Sequence, residues 1–194
     1  MTTTFSYAGD NKFTNATSDF DKKIYERFLS YLDREPKSHI LDINYGSGAD
    51  SNYFISIGYQ VTAIDHTKKL ACLESKHISQ PALRNDYVAM DFIDEFDAIW
   101  ASKSMRHIPQ VKLQESIETY MRALKSGGVW YMSYSLGVGE RLVDGVLYND
   151  QNEIRLKSFI EQIENLNVIE IWSTKDLHED RKAEFWIHCI AKKV

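Results

Sequence analysis

Hydrophobic positions along the chain change period several times, and each change marks an element. Ile24, Phe28, Leu29 and Leu32 fall at helical spacing, and Pro36 closes that helix. The run His39-Ile40-Leu41-Asp42-Ile43-Asn44 reads as a buried strand leading into a glycine turn. Asp50 to Ile57 reads as a helix ended by Gly58, Tyr59 to Asp65 as a second strand, and Thr67 to about Lys76 as another helix. Pro81 to Asp86 is a short third strand and Phe96 to Ala101 a fourth. Pro109 opens a helix with Leu113, Ile117, Tyr120, Met121 and Leu124 along one face, stopped by Gly127-Gly128. Val129 to Tyr134 follows as a fifth strand and Ile154 to Leu166 as a helix. Val168 to Thr174 and Phe185 to Ala191 form a final pair of strands.

Strands that alternate with helices pair in parallel through crossover connections. The last two strands are the exception. The charged segment between them, Lys175 to Glu184, is too short for a crossover helix, so one C-terminal strand is antiparallel to the rest. The pattern therefore predicts a Rossmann-like α/β fold. Its sheet has seven strands, mostly parallel, with helices on both faces and an antiparallel C-terminal strand pair. Residues 1–17 form a polar N-terminal arm carrying Phe5, Tyr7 and Phe13, and residues 18–194 form a single domain. Glu140-Arg141 and Asp144 fall in a solvated loop near the carboxyl edge of the sheet.

Charge and composition remove several partners. The net charge is -5, and Lys and Arg occur in scattered pairs such as Lys22-Lys23 and Lys68-Lys69, so a duplex-binding stripe is not expected. No apolar run approaches the ~20 residues of a membrane span. Cys72 and Cys189 match no metal-ligand spacing, so no metal is expected. The N-terminus lacks the basic start and apolar core of a secretory signal, and the cysteine usage suits a reducing cytoplasm.

The chemistry concentrates at the ends of the first strands. Gly46 and Gly48 allow a sharp strand-to-helix turn and close approach of a ligand. The following helix presents free N–H groups suited to a carboxylate or phosphate. Asp65, 17 residues after Gly48, ends the next strand, where a carboxylate accepts hydrogen bonds from ribose hydroxyls. Strand, turn, helix and acid together point to an adenosine-type site. A tight turn with no ligand is the plain alternative.

At this point the chain resembles the class I methyltransferases that use S-adenosylmethionine, from about Ile24 to Val194. It looks closest to small bacterial members grouped with tellurite-resistance methyltransferases. Their pattern runs LD-x-G-C-G-S-G-R-D-S, G-Y-x-V-T-A-x-D, F-D-x-I-W-A and A-L-K-x-G-G-V. Here the corresponding stretches read LDINYGSGADS, GYQVTAID, FDAIWA and ALKSGGV. The resemblance implies that Asp42 steadies the turn and that Asn44, Gly46 and Gly48 occupy the three glycine positions of the cofactor loop. It implies that Asp65 binds the ribose and that Asp86 meets the adenine amino group. Ser102 to His107 lies where the family surrounds the reacting methyl group, with Ser102 at the cofactor and His107 as a candidate base.

The departures from this pattern fall at the same place. Asn44 replaces the first glycine, and Asn tolerates left-handed backbone angles. Ala49 replaces an Arg, and Lys103 and Arg106 stand where small or apolar residues are usual. A cation ~5 Å from a sulfonium opposes binding by about 3 kcal/mol at an effective dielectric near 20. An inward Lys103 therefore weakens the cofactor; an outward one does not. Two functions follow as expectations. One is methyl transfer from S-adenosylmethionine to a small-molecule acceptor. The other is a catalytically degenerate methyltransferase-like fold that binds protein. In that case the partner is basic, such as a toxin neutralised by an immunity protein, or the chain serves as a regulatory subunit.

Overall fold

The strand His39–Ile43 (β1) is buried along nearly its whole length, which requires cover on both faces. That requirement organises the computed structural model, which describes residues 19–33, 37–43, 48–65, 83–84, 90–176 and 184–194. The other strands are Gln60–Asp65 (β2), Leu83–Arg84 (β3), Phe96–Ala101 (β4), Leu124–Ser135 (β5), Gly139–Val143 (β6), Val146–Asp150 (β7), Leu166–Asp176 (β8) and Glu184–Lys193 (β9). The helices are Asp19–Leu29 (α1), Ala49–Ser56 (α2), Gln110–Ala123 (α3) and Glu153–Ile160 (α4), with a 3-10 turn at Met105–His107. None is long and apolar enough to cross a membrane.

Seven strands form one sheet in the order β3-β2-β1-β4-β5-β9-β8. The pairs among β1 to β5 are parallel, whereas β9 is antiparallel to both β5 and β8. This is the expected Rossmann-like sheet with its antiparallel C-terminal pair. The expected helix from Thr67 to Lys76, the N-terminal arm, Pro36 and all of the third strand except Leu83–Arg84 lie outside the described residues.

Each sheet face has its own core. On one face Leu41, Ile43, Ile99 and Trp130 pack with Leu113, Ile117 and Tyr120 of α3 and with Leu156 and Ile160 of α4. These α3 positions repeat every three to four residues, the spacing of one helical face. On the other face Ile40, Val61, Trp100 and Tyr131 pack with Ile24, Tyr25 and Phe28 of α1 and Phe54 of α2. Aromatic geometry dominates this second core. Trp100 stacks on Tyr131 with centroids 4.0 Å apart and planes at 14°, and Phe28 lies 5.0 Å from Trp100. Asp50, in the first turn of α2, accepts from the Tyr25 hydroxyl at 2.5 Å and from Trp100 Nε1 at 2.6 Å. One carboxylate thus joins α1, α2 and β4.

Three expectations need correction. The stretch around Glu140 and Asp144 is not an irregular loop but the β6–β7 hairpin, a separate two-stranded sheet. Its turn is Asp144-Gly145, with φ of 51° and 79°, between the paired Val143 and Val146. Asp-Gly with both residues left-handed is the preferred two-residue turn between twisted strands. Second, the helix expected to run to Leu166 ends at Ile160. Asn152 caps its start by accepting from the Arg155 N–H at 3.0 Å. Asn165 takes a left-handed φ of 61°, and Leu166 already pairs with Lys193 in the sheet. Sheet pairing ends the helix before its apolar pattern does. Third, β5 begins at Leu124, before Gly127, because Leu124 pairs with Phe96.

The Asp50 junction makes a stability prediction. Asp50→Ala leaves two buried donors without their acceptor and lowers the unfolding free energy by roughly 2–4 kcal/mol. An exposed change such as Ile154→Ser shifts it by less than about 0.5 kcal/mol. Urea denaturation monitored by circular dichroism and by tryptophan fluorescence measures both.

Candidate functional site

Parallel strands place their carboxyl ends along one edge, and the candidate residues gather there. Asp42 is buried next to the end of β1 and accepts from Ser51 Oγ of α2 at 2.5 Å. This bond fixes how α2 leaves the sheet. Gly48 precedes α2 with φ 75° and ψ 7°, a left-handed conformation that glycine adopts without penalty. No side chain caps the helix at Gly48, and Asp50 directs its carboxylate to Tyr25 and Trp100. Among the described residues no side chain caps the first-turn N–H groups of α2, an arrangement that favours an anionic or strongly polar ligand group.

Asp65 ends β2 at the same edge. Ile64 pairs with Ile43, so the Asp65 backbone stands one residue beyond the last residue of β1. Asp42, Gly48 and Asp65 are thus brought to one end of the sheet. Asn44, Gly46 and Asp86 lie outside the described residues. Left-handed Gly48, uncapped amides and a neighbouring strand-end acid fit the carboxylate and ribose of an adenosyl amino acid.

The second half of the site follows β4. Ser102 is half-buried just past the strand end. Lys103 has a left-handed φ of 56°, and its N–H donates to Ser133 Oγ at 2.8 Å. Its ammonium lies 4.5 Å from the ring centroid of Trp186 on β9. In strand order β9 stands two places beyond β4 and three beyond β1, or roughly 10 and 14 Å at the usual strand spacing. The side chain is therefore drawn sideways along the sheet edge, away from the α2 turn. At ~10 Å the repulsion of a sulfonium falls to about half its value at 5 Å.

Arg106 is half-buried against the same ring, 4.9 Å from the Trp186 centroid and 5.1 Å from that of Tyr148. Burial holds its pKa below the ordinary guanidinium value. His107 donates from Nδ1 to the Leu147 carbonyl at 2.9 Å and accepts at Nε2 from Arg106 Nε at 3.0 Å. Both ring nitrogens are engaged, which makes His107 a link between the 3-10 turn and the hairpin. Arg141 forms an ion pair with Asp150 and lies 4.5 Å from the Tyr148 ring. Glu140 accepts from the Gln110 N–H at 2.7 Å, capping α3.

Sequence reasoning missed Asp50, Tyr148 and Trp186. Asp50 carried a signal, since it directly follows the glycine turn. Tyr148 and Trp186 had none, because nothing in strand spacing says which rings meet across separate sheets.

Comparison with known proteins agrees with this fold. Residues 40–128 match the sequence model of a methyltransferase domain family. No curated protein matches the chain. Among solved structures, an S-adenosylmethionine-dependent methyltransferase from Methanosarcina mazei superposes with a TM-score of 0.72 at 19% identity, over 88% of this chain and 97% of that one. TehB from Haemophilus influenzae gives 0.69 at 18% identity, over 94% of this chain and 65% of that one. The 1,6-didemethyltoxoflavin-N1-methyltransferase of Burkholderia thailandensis, bound to its acceptor and S-adenosylhomocysteine, gives 0.67 at 16% identity, over 89% and 82%. These matches bear out the resemblance read from the motifs. The chain has the fold of the S-adenosylmethionine-dependent methyltransferases.

One buried histidine beside the site makes stability depend on pH. His188 lies between the Tyr131 hydroxyl at 2.8 Å and Thr174 Oγ1 at 2.6 Å. Burial, then the charges of Lys103 and Arg27, push its pKa down to about 3. An unfolded histidine titrates near ~6.5. Between these values the unfolded state binds the extra proton. The stability contributed by neutral His188 is therefore complete above ~6.5 and is lost as pH falls toward 3. Urea midpoints measured across that window fall with acidity, and His188→Gln, which cannot take up a proton, shows a shallower fall.

Proposed function

We propose that this protein transfers a methyl group from S-adenosylmethionine to a small-molecule acceptor. The observation that carries this reading is the α2 turn: a left-handed Gly48, first-turn amides that no side chain caps among the described residues, and Asp65 at the neighbouring strand end. When bound, S-adenosylmethionine supplies an electrophilic methyl carbon on a positively charged sulfur. The uncapped amides of α2 would receive its carboxylate, and Asp65 would accept from its ribose hydroxyls. Asp42 acts indirectly, since its bond to Ser51 sets the direction of those amides. The segment Ser102–His107 forms the wall on the acceptor side.

The protein's task in such a reaction is alignment and exclusion of water. No dedicated base is required when the acceptor brings its own lone pair. The engagement of both His107 nitrogens is therefore compatible with turnover. The sideways placement of Lys103 over Trp186 removes the strongest objection from the sequence, a cation beside the sulfonium. This placement favours the enzyme over a protein-binding module with a closed pocket.

Calorimetric titration with S-adenosylmethionine and S-adenosylhomocysteine tests the reading. The expected result is a Kd in the micromolar range, weakened about 10- to 100-fold in Asp65→Ala, which corresponds to one or two lost hydrogen bonds. A folded wild-type protein that binds neither molecule at about 1 mM ends the proposal. Binding restored by Asn44→Gly would then place the obstruction in the turn.

A further inference from the structure

A cavity of about 300 Å³ opens between the start of α3 and the exposed side of α4. Gln110 lines it from α3, Gln151 from the link after β7, and Ile154, Ser158 and Phe159 from α4. Both helices cover the sheet face opposite to α1 and α2. The cavity is therefore separate from the turn at Gly48. Pockets for small molecules span roughly 300–1,000 Å³, so this one suits a ligand of one ring.

Its polar wall is a relay of three amides. Asn149 of β7 is fully buried; it accepts at Oδ1 from Gln151 Nε2 at 2.9 Å and donates from Nδ2 to Gln110 Oε1 at 3.4 Å. Each glutamine thus spends one end of its amide on Asn149. Gln151 is 3% exposed, and its Oε1 accepts no hydrogen bond among the described residues. That oxygen is not among their fully enclosed unpaired atoms, so what surface it has opens on the cavity its side chain lines. Gln110 Nε2 also has no acceptor among the described residues, on an exposed side chain lining the same cavity. Such a relay ends in one carbonyl and one NH₂. Reversing all three amides only exchanges the two ends.

A donor and an acceptor joined through one buried side chain match a ligand that carries both. An amide edge, with its N–H beside its C=O, is that complement. A polar atom on a side chain this buried costs free energy while unmatched, and a ligand that pairs with it recovers that cost. Phe159 and Ile154 supply apolar surface for a flat body. Arg155 is the one charged residue in the lining, which disfavours a cationic ligand. We propose that this cavity binds a small planar ligand by its amide edge. The ligand's N–H meets the carbonyl at one end of the relay and its C=O meets the NH₂ at the other. The site stands independently of methyl transfer, since none of its residues belongs to the cofactor turn.

The test is an NMR titration of the ¹⁵N-labelled protein, following the side-chain amide signals of Gln110 and Gln151. The probes are 2-pyridone, a ring lactam, and benzamide, an open carboxamide; N-methyl-2-pyridone, which lacks the N–H, is the control. The expected result is saturable shifts of both signals by at least one amide probe, with a Kd of about 1–10 mM. The control binds about tenfold more weakly, as does 2-pyridone or benzamide to Gln110→Leu. Ser158→Trp, a change at an exposed helix position, fills the cavity and abolishes the shifts. Binding of 2-pyridone alone selects a ring lactam; binding of benzamide alone selects an open carboxamide. No saturable binding of either probe, equal binding of the control, or equal binding by a folded Ser158→Trp overturns the proposal.

Discussion

The carboxylate of Asp50 is the junction on which the rest of the site depends. It stands in the first turn of α2 and accepts from Tyr25 of α1 and Trp100 of β4. Both donors belong to residues buried in the aromatic core, where an unmatched polar group is expensive. Satisfying them fixes the position of α1 over the sheet and of Trp100 against Tyr131. It also commits Asp50 to the interior. The amides of α2 are left without a cap from their own first turn, and a structural need thereby creates a place for a ligand.

The carboxyl edge of the sheet divides into two chemical halves. Toward β2 it offers backbone amides, a left-handed glycine and a strand-end acid. Toward β9 it offers cations laid on aromatic rings, with Arg106 and Lys103 sharing Trp186. The β6–β7 hairpin leans on this second half through Tyr148, which meets both Arg106 and His107. Where the cations settle is decided by the rings that attract them, since a cation on an indole face is stabilised by the ring quadrupole. The same physics keeps positive charge away from the half suited to a sulfonium.

The main sheet was legible because its signals are local. An apolar run such as His39–Ile43 must be covered on both sides, and the short charged link before β9 cannot cross over the sheet. The hairpin at Asp144-Gly145 was also written in the sequence as an Asp-Gly turn between apolar residues, but its strands are too exposed to show a buried pattern. The length of α4 was not legible. Its helical periodicity continues past Ile160, and only the pairing of Leu166 with Lys193 ends it.

By itself the sequence determined the element order, the parallel sheet with its antiparallel finish, and the glycine turn with Asp65 one strand away. Each of these depends on neighbours in the chain or on spacing along it. Only the tertiary structure decided where long side chains go. Lys103 was an inward or an outward cation with equal justification until Trp186, 83 residues further along, appeared beneath it. His107 was a candidate base until Arg106 and the Leu147 carbonyl took its two nitrogens. Such outcomes depend on which distant ring or carbonyl the fold delivers to a given atom. That is a property of three-dimensional packing, with no periodicity along the chain to record it.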